Sequence, residues 1–179
     1  GAFRITCCGN ITIIDNHFIN TRAKGTILYE PESVANEEDF LIIQNCTFKE
    51  CDGTCCYFSV QSESKEKITV SECIFLSCKK GSDDSIALGS NNLADSISLF
   101  VSKNEFIQCG INDENVYAVK LQINNHIYGT LIFENNVFNY SCGALSIKQN
   151  DGIVNVRNCI FKNLIHDLID FQSLNYLLF

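Results

Sequence analysis

Eleven cysteines, three histidines and scattered carboxylates are the reactive side chains of this 179-residue sequence, and their spacing limits what they can do. The adjacent pairs Cys7-Cys8 and Cys55-Cys56 lack the Cys-x2-Cys spacing of zinc sites. His17, His126 and His166 fall in separate parts of the chain, so no metal site is expected. Asp83-Asp84 is a weak hint of calcium, which needs about six to eight oxygen ligands, and reads as a solvated turn. A cysteine nucleophile needs a neighbouring base and an electropositive setting, and no sequence feature places one there. The expectation is therefore no catalytic residue, no metal ligand and no cofactor. Asn10, Asn45 and Asn139 head Asn-x-Ser/Thr sequons, possible glycosylation sites that are compatible with secretion but no more frequent than chance among about twenty asparagines.

The chain that must position these side chains repeats itself. A motif typified by Leu41-Ile42-Ile43-Gln44-Asn45-Cys46-Thr47-Phe48 recurs at Phe18, Phe48, Phe75, Phe106, Phe138 and Phe161, at intervals of 23 to 32 residues, the range of solenoid repeats. Seven residues earlier stand Ile11, Leu41, Ile68, Leu99, Leu131 and Val154, and five earlier stand Ile13, Ile43, Val70, Val101, Phe133 and Val156. That period of two describes a strand with one buried face. Two residues before each phenylalanine only Asn or Cys occurs: Asn16, Cys46, Cys73, Asn104, Asn136 and Cys159. A short polar or thiol side chain fits where a strand bends inward, and Asn can bond the backbone of the next coil. Stacking in register puts Cys46 over Cys73 and Asn104 over Asn136.

A second alternating column follows each motif, with pairs at Phe3/Ile5, Ile27/Tyr29, Phe58/Val60, Ile86/Leu88, Val119/Leu121, Leu145/Ile147 and Ile169/Phe171. The outward residues between them are Arg4, Leu28, Ser59, Ala87, Lys120, Ser146 and Asp170. No two carboxylates stand on adjacent coils there, so the paired acid and base of glycoside hydrolysis is missing. Lys120 and Lys148 neighbour one another as exposed strand lysines, which discourage edge pairing. The insert from Glu30 to Asp39, with the only proline, and the polar link from Gln61 to Lys67 read as exposed loops.

Composition bounds the rest. Apolar residues are 46% and charged residues 19%, a folded, β-favouring mixture. A net charge of −8 without a Lys/Arg cluster argues against nucleic acid as a partner. No apolar run approaches the roughly 18 residues that span a bilayer. Cys51, Cys78 and Cys109 each lie three after a phenylalanine, so they recur with the coil; vertical disulfides are sterically conceivable, and buried reduced thiols acting as small apolar residues are favoured.

Two solenoids compete for this pattern. Ile68-x-Val70-x-x-Cys73-x-Phe75 matches the centre of a leucine-rich repeat, but the second alternating strand and uneven repeat length favour an all-β, right-handed parallel β-helix of about six to seven coils. The whole segment resembles β-helix proteins of the pectin-lyase-like class, and its Gly-Ala-Phe, Cys-Gly-Ala-Leu and Phe-x-Asn elements resemble the repeats of polymorphic-outer-membrane-protein-like surface proteins. The expectation is one domain, residues 1–179, uncapped at both ends and part of a longer solenoid, with further coils or protein partners at both ends and carbohydrate as a further partner. Its expected role is a noncatalytic structural or adhesive element, extracellular or at the cell surface. The alternatives are a carbohydrate-active lyase or hydrolase, an intracellular scaffold and a leucine-rich-repeat-like binding module.

Overall fold

The computed structural model describes residues 3–61, 63–80, 85–94, 96–111, 116–123, 126–148, 151–165, 169–172 and 176–178. Like strands of successive repeats stack in parallel into three sheets. The first stacks Phe3–Ile5, Arg22–Tyr29, Asp52–Ser59, Ser85–Leu93, Tyr117–Ile123, Gly143–Lys148 and Ile169–Gln172. The second stacks Asn10–Ile14, Phe40–Gln44, Lys67–Ser71, Ser98–Ser102, His126–Glu134, Asp151–Arg157 and Tyr176–Leu178. The third holds the short strands centred on the repeated phenylalanines: His17–Ile19, Thr47–Lys49, Ile74–Leu76, Glu105–Ile107, Val137–Asn139 and Ile160–Lys162. Among the described residues there is no helix. The fold is a parallel β-solenoid. Three strands per complete repeat exclude the leucine-rich-repeat alternative, which supplies one.

Register follows the motif. Ile11, Leu41, Ile68, Leu99, Leu131 and Val154 form one inward row of the second sheet. The six phenylalanines stack face on face with ring centroids 4.5–5.2 Å apart. Phe48, Phe75 and Phe106 are completely buried, as are Ile43, Val70 and Val101.

The bends on either side of each short strand are made by residues in the left-handed region. Asp15, Asn45, Glu72, Lys103, Asn135 and Asn158 precede it with φ of 51–58°, and Asn20, Glu50, Ser77, Gln108, Tyr140 and Asn163 follow it with φ of 52–55°. Their amides keep the axial ladder intact around the corner: Asn45 N–H donates to Ser71, Glu72 to Ser102, Glu50 to Leu76 and Ser77 to Ile107. The bend therefore lies one residue before the Asn/Cys position, whose side chain fills the inside of the corner. Asn104 Nδ2 donates to the Val70 carbonyl at 2.9 Å, and Asn136 Nδ2 to that of Val101 at 2.8 Å. Their Oδ1 atoms accept from the backbone of Cys73 and Asn104.

Three expectations need correction. In the first sheet Ile27 and Tyr29 stack on Cys56 and Phe58, and these on Leu88 and Ser90, not on Phe58/Val60 and Ile86/Leu88. A slip of two residues preserves the alternation, so a period of two cannot detect it; a one-residue irregularity between Ser85 and Leu88 interrupts the alternation at Ala87. The outward column accordingly carries Tyr57 and Gly89 where Ser59 and Ala87 were expected, and Ala87 is buried. The insert is not wholly exposed: Ala35 is buried, its N–H donating to Ser64 Oγ at 3.0 Å, and its carbonyl accepts from Lys65. The polar link likewise sends Ser64 and Glu66 inward.

Candidate functional site

Two places gather polar side chains. The first is a cleft of about 290 Å³ on the outer face of the first sheet, lined by Tyr117, Lys120, Leu121, Gln122, Ser146, Lys148 and Asp170. Strand alternation and register build it: Lys120, Ser146 and Asp170 lie side by side on three successive strands, and Gln122 lies beside Lys148. Ser146, 8% exposed, reaches Asp170 Oδ2 with its hydroxyl at 3.5 Å. The sequence put all four of Lys120, Ser146, Lys148 and Asp170 on the outside; the sheet brings them together. Two ammonium groups beside a hydroxyl and an amide suit an anionic ligand, and Asp170 is the one carboxylate in the lining. A single carboxylate does not make the acid and base pair of glycoside hydrolysis.

The second place is the corner where the insert meets the second sheet. Glu66, two residues before Ile68 on the same face, points into the core with no exposed surface. Tyr29 donates to its Oε2 at 2.5 Å, whereas Oε1 is buried without a partner. Burial raises the Glu66 carboxyl above its ordinary range; the Tyr29 hydrogen bond opposes this and the nearby Asp39 adds to it. Burial, then Glu66, pushes the Tyr29 phenol up. Two hollows beside the insert are lined by Glu37, Glu38, Lys65 and their neighbours, with Lys65 paired to Glu37 at 3.3 Å. Glu66 escaped notice in the sequence because it sits among Ser, Lys and Glu; extending the Ile68/Val70 alternation back by two positions would have found it.

The cysteines line two corners. All eleven are thiols, and those at positions 46, 51, 55, 56, 73, 78, 109 and 142 are buried. Cys51 and Cys78, which recur with the coil, are joined by Cys55, which the spacing did not place with them, and the three sulfurs lie within 4.8 Å of one another. Burial pushes Cys55 and Cys56 well above the ordinary thiol range. The neighbouring Cys109, Cys51 and Cys55 thiols pull Cys78 below it. Of the sequons, Asn10 and Asn45 are exposed, and Asn139 is half-buried. Asn45 donates to Asp15 Oδ1 at 2.6 Å, and Asn139 accepts from Asn163. His17 is exposed, and His126 lies in a strand of the second sheet. Asp83-Asp84 and His166 lie outside the described residues.

The class defined by this architecture is a parallel β-solenoid with a small cationic cleft on one wall and thiol-lined corners. Comparison with family models, with curated proteins and with solved structures gives no match for the chain.

Proposed function

We propose that this chain is a noncatalytic adhesive β-solenoid of a surface or extracellular protein, and that the cleft at Lys120 and Lys148 engages a carboxylated saccharide. The observation that carries this reading is the composition of the cleft: two lysines, a serine and a glutamine around one carboxylate can hold an anion without supplying an acid and base pair. Stacked phenylalanines and continuous axial hydrogen bonds support the structural half of the role, because they make a stiff wall on which the cleft is held at fixed geometry. The resemblance to pectin-lyase-like β-helices agrees with an acidic-sugar partner.

The test is an array of uronate-bearing and neutral oligosaccharides probed with the purified chain. Salt-sensitive binding to the uronates, weakened about tenfold or more in Lys148→Ala, is expected. Release of shortened or unsaturated products would overturn the noncatalytic reading and restore a lyase or hydrolase. A second reading, an intracellular scaffold, draws on the eleven cysteines standing as thiols. Mass spectrometry of the native protein separates the two: glycans at Asn10, Asn45 or Asn139 exclude the scaffold.

A further inference from the structure

At the corner where the third sheet passes into the first, the residue three after each phenylalanine is Thr21, Cys51, Cys78, Cys109, Ser141 and Leu164 in successive repeats. Cys51, Cys78, Cys109 and Ser141 each donate to the carbonyl of the phenylalanine one rung away, at 3.4–3.6 Å. Ser141 makes this bond as the thiols do, so the corner itself does not require sulfur. The position facing this column from the first sheet is occupied by Thr26, Cys55, Ala87, Ala118 and Ala144, each the residue before the stacked row Ile27, Cys56, Leu88, Val119 and Leu145. Where Thr21 and Thr26 meet, two hydroxyls share a 2.5 Å hydrogen bond. One rung on, both are replaced by thiols, and Cys78 of the following rung closes the triangle, with all three sulfurs within 4.8 Å and 0–1% exposed. Alanine fills the facing position in the later rungs, so Cys55 is the residue that turns a thiol column into a three-sulfur cluster.

We propose that Cys51, Cys55 and Cys78 form a trigonal site for a soft monovalent metal ion, copper(I). Three thiolates and no oxygen or nitrogen ligand select soft metals over hard cations. The site is dry, and a three-coordinate ion needs no water, whereas zinc in a tetrahedral site requires a fourth ligand. Entry is a ligand exchange at copper: the bonds to the ligand that delivers the ion break and that ligand leaves, three S–H bonds break, three Cu–S bonds form, three protons leave to solvent, and copper stays in the +1 state. The ion cross-links two rungs of the folded chain, so it stabilises the solenoid to the extent that this site outbinds the thiols of the unfolded chain.

The experiment titrates the reduced chain anaerobically with copper(I) held by a coloured chelator, in a Cys7→Ser/Cys8→Ser background that removes two of the three thiols that are not buried. One equivalent should be withdrawn from the chelator, X-ray absorption should show sulfur-only three-coordination, and the melting temperature should rise. Cys55→Ala introduces the residue found in the later rungs and is expected to fold, while weakening copper(I) binding by about 100-fold or more and abolishing the melting shift. Cys142→Ala should leave both unchanged. Three results overturn the proposal: no copper withdrawn by the parent, equal withdrawal by Cys55→Ala, or a Cys51–Cys55 or Cys51–Cys78 disulfide in the chain as purified. Cobalt(II) bound with tetrahedral thiolate spectra and lost in Cys109→Ser also overturns it, in favour of a four-coordinate site.

Discussion

Glu66 carries a burden its neighbours do not share: a carboxyl with no exposed surface and one oxygen lacking a partner. Because burial raises its folded-state pKa above the unfolded value, the folded chain keeps the proton longer than the unfolded one. Its effect on stability is therefore most favourable below the unfolded value of about 4.3 and is lost as pH rises toward the folded value. Glu66→Gln keeps an acceptor for Tyr29 and removes the ionisation. It should match the parent at acid pH and exceed it by about 1–3 kcal/mol at pH 7, the scale of a buried unsatisfied group. Urea unfolding at the two pH values checks this, and parallel profiles for parent and variant would refute it. Asn136 is the opposite case, with its amide and carbonyl both engaged. Asn136→Ala strands the Asn104 amide and the Val101 carbonyl and should cost about 1–3 kcal/mol or more. Asn136→Cys, the residue that fills the same corner at Cys46 and Cys73, should cost less than alanine in the same denaturation assay.

The short strands of the third sheet exist because a left-handed residue stands at each end. Such a conformation costs an L-residue about 1 kcal/mol or more, least for Asn and Asp, whose short side chains bond locally. Asp15, Asn20, Asn45, Asn135, Asn158 and Asn163 fit that preference, whereas Glu50, Lys103 and Tyr140 do not. At Glu50, with φ of 53°, a β-branched side chain is the worst choice. Glu50→Val should lower stability by about 1–3 kcal/mol, and Glu50→Asn should leave it equal or slightly raised. Thermal melting of the two variants side by side measures the difference; equal melting points would mean that the bend does not depend on this residue. These corners were half legible in the sequence. The Asn/Cys column marked where the chain turns, but the turning residue is its neighbour, of mixed type, and only stacking of one coil on the next forces Glu50 or Lys103 into that region.

The whole solenoid is held by nearest-neighbour stacking, so damage in one rung is felt by the two beside it. Phe75 is completely buried between Phe48 and Phe106, with centroids at 4.9 and 5.0 Å. Phe75→Ala leaves a cavity in mid-stack and should cost about 3–5 kcal/mol. Phe161 ends the described stack, has Phe138 as its one ring neighbour among the described residues and is partly exposed. Phe161→Ala should therefore cost less. Denaturant midpoints of the two variants test this order, and a larger loss at Phe161 would contradict a stack held by its centre.

Local chemistry was enough to specify the coil. A period of two, β-branched residues at fixed offsets and one phenylalanine per repeat leave a strand only one face to bury, and recurrence of the same offsets makes like stack on like. That logic gave the second and third sheets their register and placed Lys120, Ser146 and Asp170 on the outside. It could not choose between Ile27 stacking on Cys56 or on Phe58, because a shift of two residues preserves the face and differs only in which side chains meet across coils. It could not see Glu66 turn inward or Cys51, Cys55 and Cys78 converge, because those contacts join residues from different strands or coils. Axial stacking settles such contacts, and it depends on how each insert and bulge absorbs its extra residues, which no local periodicity encodes.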